Sequence, residues 1–112
     1  LKLKKIKEIT LQEEPPNFKH VYQFYPILLH NSAIRAKLMS FLASKGIMTR
    51  VFFKPVHKTK FFSKIGYGSV SLPNTEKTSK QILALPMYPT LRKEQITYIT
   101  DSITEFFEYT NK

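Results

Sequence analysis

Three histidines, His20, His30 and His57, are the side chains of this sequence that ordinarily change charge near neutral pH. The most suggestive lies in Phe52-Phe53-Lys54-Pro55-Val56-His57, where a β-rich run meets a proline and hands an imidazole to the following turn. Strand ends and the loops after them are where scaffolds present functional groups, so His57 is the first candidate for a polar contact. Its ordinary structural role would be a ring satisfied at the rim or in the core. His20, at the entrance to the apolar run 21–29, carries the same two readings. No metal site is predicted, because the sequence has no cysteine, no His-Glu-x-x-His and no tight His/carboxylate cluster. Glycines at 46, 66 and 68 cannot build a nucleotide-binding fingerprint or a P-loop. A Gly-x-Ser-x-Gly elbow is also missing, and Glu13-Glu14 sit in a proline segment while Glu105 and Glu108 sit on a helix face. No catalytic residue is assigned within the chain.

Such candidates need elements to position them, and 112 residues with 42% apolar content suit one domain with one core. No window approaches the roughly 20 apolar residues that span a bilayer, and Leu1-Lys2-Leu3-Lys4-Lys5 lacks the apolar centre of a signal peptide. A cysteine-free chain fits a reducing compartment, so the cytoplasm is the expected location. Opening on Leu1 rather than Met suggests a piece of a longer protein. Residues 1–18 read as a helix end, with Leu1, Leu3 and Ile6 on its apolar side, followed by the connector Glu13-Glu14-Pro15-Pro16-Asn17. The domain proper is expected over 19–112.

Within it, residues 21–29 read as a strand, with Pro26 arguing for an edge position or a bulge. Asn31 caps a helix on Ile34, Leu38, Phe41 and Leu42 that Gly46 ends. Residues 49–53 read as a second strand, and 56–68 as a longer segment anchored by Phe61-Phe62. Pro73 starts a short helix, Leu83-Ala84-Leu85 makes a brief strand before Pro86, and Ile96, Ile99, Ile103 and Phe106 mark a C-terminal amphipathic helix. The expected fold is α+β: a small antiparallel or mixed sheet of about three strands with helices on one face.

Eighteen Lys+Arg against eight Asp+Glu give a net charge of +10, so phosphate-rich partners must be weighed. Three of the eighteen are arginines, and the lysines are scattered as on a solvated surface. The stretch Lys64-Ile65-Gly66-Tyr67-Gly68-Ser69-Val70-Ser71-Leu72 approaches an RNA-recognition strand but has Ser69 and Leu72 where stacking rings belong. It reads as a loop. A stand-alone basic module binding nucleic acid remains the alternative reading, and a basic protein-interaction domain without chemistry a third.

In order and wording these elements resemble the C-terminal small domain of the DegT-type sugar aminotransferases, pyridoxal-phosphate enzymes of the aspartate aminotransferase fold. The resemblance rests on His20-Val21-Tyr22-Gln23-Phe24-Tyr25; on Arg35 with Leu38, Leu42, Gly46, Ile47 and Thr49; and on Phe53, Pro55 and His57. It is most specific over Leu72-Pro73, Glu76 and Ser79, then Leu83-x-Leu85-Pro86-Met87-Tyr88-Pro89-x-Leu91. Gln23 stands where many members carry histidine, and Phe53 where tyrosine is frequent. The resemblance implies a homodimeric parent enzyme that moves an amino group, usually from glutamate, onto a keto sugar attached to a nucleotide. It implies that the Schiff-base lysine and the cofactor's other ligands belong to a large domain preceding this segment, so pyridoxal phosphate is not expected to bind these residues alone. His57, then His20 and Tyr22, are the residues it brings near substrate, with Arg35 structural and the Leu-Pro-Met-Tyr-Pro run packing.

Overall fold

Alternation along three short segments builds the sheet in the computed structural model, which describes residues 2–110. Strands β1 (Ile9–Leu11), β2 (Tyr25–Leu29) and β3 (Ile82–Leu85) pair antiparallel in the order β1-β2-β3. The register sets Ile9 opposite Leu29 and Leu11 opposite Ile27 on one side of β2. On the other it sets Ile27 opposite Leu83 and Tyr25 opposite Leu85. Directly opposed residues share a sheet face, so all seven apolar side chains point the same way. Against that face lie Leu38 and Leu42 of helix α1 (Ser32–Ser44) and Ile99, Ile103, Phe106 and Phe107 of helix α4 (Lys93–Thr110). The α+β class and the helical cover of one sheet face are as the sequence predicts.

Helix α1 begins where Asn31 Oδ1 accepts the Ile34 N–H at 2.9 Å. It ends at Gly46, φ +74°, whose N–H donates to the Ala43 carbonyl while Ile47 N–H donates to Leu42. That pair of bonds needs a left-handed residue, and it brings Ile47 onto Leu42 in the core. Pro73 opens α3 (Pro73–Gln81), where a missing N–H costs no helical bond. In α4 the buried stripe is Ile99, Ser102, Ile103, Phe106 and Phe107, whereas Ile96 is 47% exposed.

Three expectations are corrected. Residues 21–24 are not strand: Tyr22 takes φ +46°, a left-handed turn that ends extended pairing, so β2 starts at Tyr25. Pro26 lies in the central strand, yet β1 stops opposite Ile27, so its missing N–H falls beyond that ladder. Residues 49–53 form no strand and make one isolated bridge, Arg50 N–H to Ala84 O at 3.1 Å and Ala84 N–H to Arg50 O at 2.8 Å. Residues before the expected boundary at 18/19 pack against those that follow it. Leu3 and Ile6, around the tight turn Lys2–Lys5, join Ile9 in the core, and Ile9–Leu11 completes the sheet. Leu1 lies outside the described residues.

Between the 49–53 segment and α3 run a turn at Val56–Lys58, one helical turn α2 (Lys60–Phe62) and a wide turn Ser63–Tyr67 kinked at Ile65 and Gly66. Phe61, expected to anchor this region, is 66% exposed. The near-RNA-binding stretch falls mostly in the wide turn and the loop after it, so Tyr67 stands on no strand from which bases could be stacked. No helix among the described residues is long and apolar enough to cross a membrane.

Candidate functional site

The three expected site residues fall into two separate arrangements. No hydrogen bond or ring contact among the described residues joins His57 to His20 or Tyr22. His20 and Tyr22 instead form a surface turn with Glu14. Tyr22 N–H donates to His20 Nδ1 at 2.8 Å, the two rings lie 4.4 Å apart, and Tyr22 Oη–H donates to Glu14 Oε2 at 2.6 Å. The Tyr22 hydrogen bond, then the His20 backbone N–H, hold the Glu14 carboxyl below its usual range, and the same carboxylate pushes the Tyr22 phenol up. A non-glycine residue at φ +46° is uncommon, and these bonds are what support it.

His57 is buried at 6% exposure, and its Nε2 lies 2.9 Å from Glu76 Oε1. An ionised carboxylate only accepts, so the imidazole donates. The same Oε1 accepts the Leu72 N–H at 3.1 Å, satisfying a free donor at the start of α3. Lys58 Nζ stands 3.6 Å away. With the His57 hydrogen bond as the largest cause, the Glu76 carboxyl is pulled down to about 2. Glu76 is thus lower in the folded chain than the ordinary 4.5, so its stabilisation is complete above that value and disappears as pH falls toward about 2. Stability measured by urea unfolding is expected to fall over that acid window in the native chain. In Glu76→Gln, which cannot ionise, the fall should be shallower. Equal slopes in both chains would remove Glu76 from the acid response.

A third feature is an open groove of about 670 Å³ between residues 46–52, the Leu85-Pro86-Met87-Tyr88 run and the start of α4. Its walls are mainly apolar, with Arg50, Gln23 and Gln95 as polar handles. Met87 and Tyr88, expected to pack, are 39% and 48% exposed and line this groove. Phe24, whose ring lies 4.3 Å from Phe52, continues the wall toward Phe53. Arg35 is structural: its guanidinium donates to the Ser79 carbonyl at 2.8 Å and ties α1 to α3. Arg50 and Gln95 sit in no sequence pattern that marks them as groove residues; the Arg50–Ala84 bridge brings Arg50 beside Leu85. The arrangement can bind and orient a partner surface or ligand. It holds no nucleophile paired with a base, and no group of three or more potential metal ligands occurs among the described residues.

Residues 1–104 match the model of the DegT/DnrJ/EryC1/StrS aminotransferase family, and the chain belongs to that family. It is 37% identical over 91 residues to a pleiotropic regulatory protein of Geobacillus stearothermophilus, covering 80% of this chain and 24% of that protein. It is 32% identical over 99 residues to GDP-perosamine synthase of Escherichia coli O157:H7, covering 88% of this chain and 26% of the synthase. Among solved structures, NtdA of Bacillus subtilis with bound cofactor PMP superposes with a TM-score of 0.78 at 26% identity, covering 95% of this chain and 24% of that one. The chain therefore spans about a quarter of the length of the relatives it matches.

Proposed function

We propose that this chain is the smaller, C-terminal lobe of a pyridoxal-phosphate aminotransferase that moves an amino group, with glutamate as donor, onto a keto sugar carried by a nucleotide. The observation that carries the reading is family membership over residues 1–104 by a chain spanning only a quarter of its relatives. The groove supports it. Exposed Met48, Met87 and Tyr88 around an apolar trough are side chains that a neighbouring lobe would cover. On this reading the remaining lobe belongs to the same polypeptide, two copies of which form the working dimer in the cytoplasm.

The side chains present do not suit the cofactor itself. A Schiff base with pyridoxal phosphate needs an amine whose pKa is lowered, in a site shielded from water. Among the described lysines only Lys45 and Lys58 are partly buried. The Lys45 ammonium donates to Glu105 at 2.7 Å, which raises its pKa, and Lys58 donates to the Gly68 and Val70 carbonyls. The reactive amine is therefore assigned to the other lobe. Tyr22 and His20, near the surface on a strained turn, are the polar groups we place toward substrate; His57 acts from one step behind.

Treatment of the chain with pyridoxal phosphate and borohydride is expected to leave no single lysine stoichiometrically labelled. The same treatment of the parent polypeptide should label one lysine outside residues 1–112. A specific label on any lysine within this chain, or none in the parent, would refute the assignment.

A further inference from the structure

Residues 59–71 form an excursion without a core. None of them is buried, and the apolar cluster uniting the sheet, α1 and α4 takes no side chain from them. Ile65, Tyr67 and Val70 join Phe61 in standing open to solvent. The rings stack on each other instead: Phe62 meets Phe61 at 5.3 Å and Tyr67 at 6.1 Å, both edge to face. Pro55 and Pro73 bound the excursion and its fastenings, and Gly66, at φ +102°, bends it back on itself.

What fastens it is polar. Glu76 Oε1 takes the His57 imidazole before the excursion and the Leu72 N–H after it, so one carboxylate oxygen grips both ends. Lys58 Nζ reaches the Gly68 carbonyl at 3.4 Å and the Val70 carbonyl at 3.2 Å, holding the far limb. Water can replace such bonds in an opened state, which it cannot do for buried apolar contacts, so segments held this way open at low cost relative to the whole fold. The self-stacked rings mean that what opens keeps its own shape.

We propose that His57 is a positioning residue which, with Glu76 and Lys58, clasps residues 59–71 as a strap that opens and closes as a unit. This goes beyond the aminotransferase reading and stands independently of it. The strap presents Phe61 and Tyr67 beside Lys60 and Lys64, with no acidic residue between His57 and Leu72. When the clasp is shut, that surface has one arrangement; when it opens, the sheet and its two covering helices are untouched.

Amide hydrogen exchange read by mass spectrometry on the 112-residue chain tests this. Strap amides should exchange at least about tenfold faster than those in the middle of α1 and α4. His57→Ala should accelerate the strap by about a further tenfold while leaving α1 and α4 unchanged, and without disturbing the Glu76 bond to Leu72. Glu76→Ala should do the same and also loosen the first turn of α3. Glu76→Gln, which keeps an acceptor oxygen, should restore most of the protection. A strap as slow as α1 in the native chain, an acceleration shared equally by α1 and α4, or an equal effect from Phe61→Ala would each overturn the proposal.

Discussion

Leu83→Ala is expected to destabilise this chain by about 2–5 kcal/mol, the range for truncating a fully buried leucine where surrounding atoms relax only partly. Leu83 is 0% exposed in β3 and faces Ile27, also 0%, across the ladder. The lost methyl groups would leave a void with the sheet on one side and the α1 and α4 side chains on the other. Domains of this size are stable by about 5–15 kcal/mol, so the variant should sit close to unfolding at ordinary temperature. Urea midpoints provide the measurement, with an unchanged slope expected because the surface exposed on unfolding is nearly the same. The comparison is Ile65→Ala, at 54% exposure in the strap, which should stay within about 0.5 kcal/mol of the parent. Similar losses for the two variants would mean that this sheet face is not the core.

That contrast also explains which parts of the fold are legible in the sequence. Helix α1 announces itself twice, through Asn31 at one end and Gly46 at the other, because capping chemistry is local and residue-specific. Helix α4 is visible through isoleucines and phenylalanines at helical spacing, although that spacing puts Ile96 in the stripe while the packing leaves it out. Strands are less local. Residues 49–53 carry the right composition yet obtain one bridge, because a strand is made by pairing with its neighbour and composition alone does not supply it. Ile9–Leu11 has only three residues between charged and proline-rich stretches, and nothing in those three states that Leu29 and Ile27 lie opposite.

The candidate site divides along the same line. His57 is conspicuous as a titratable ring after a proline turn, but whether it faces outward depends on Glu76, nineteen residues away on another element. A lone histidine and a lone glutamate carry no sign of their pairing. Tyr22 and His20 are adjacent enough for their contact to be local, yet the left-handed turn that joins them is set by Glu14 across the double proline. The groove is the least legible of all. It exists because the Arg50–Ala84 bridge lays residues 46–52 alongside the Leu85–Tyr88 backbone, and its polar handles come from separate segments.

A chain beginning at Lys19, from which the double-proline segment and everything before it are removed, is expected to lose cooperative unfolding altogether. The removed residues include Leu3, Ile6 and Ile9, exposed by only 5%, 8% and 8%, and half-buried Leu11. Three fully buried aliphatic side chains contribute about 1.5–3 kcal/mol each, or roughly 5–9 kcal/mol together. That is comparable with the whole stability of such a domain. The loss compounds, because β2 then becomes an edge strand, with backbone groups left unpaired and the flanks of Ile27 and Leu29 opened where Leu11 and Ile9 had lain beside them. The ion pair of Lys2 with Asp101, at 57% exposure on both sides, adds little to this sum. Circular dichroism during urea titration should show helical signal falling gradually from the lowest concentrations, with no baseline for the folded state. A sharp transition near the midpoint of the 112-residue chain would mean that the first eighteen residues decorate a core able to stand without them.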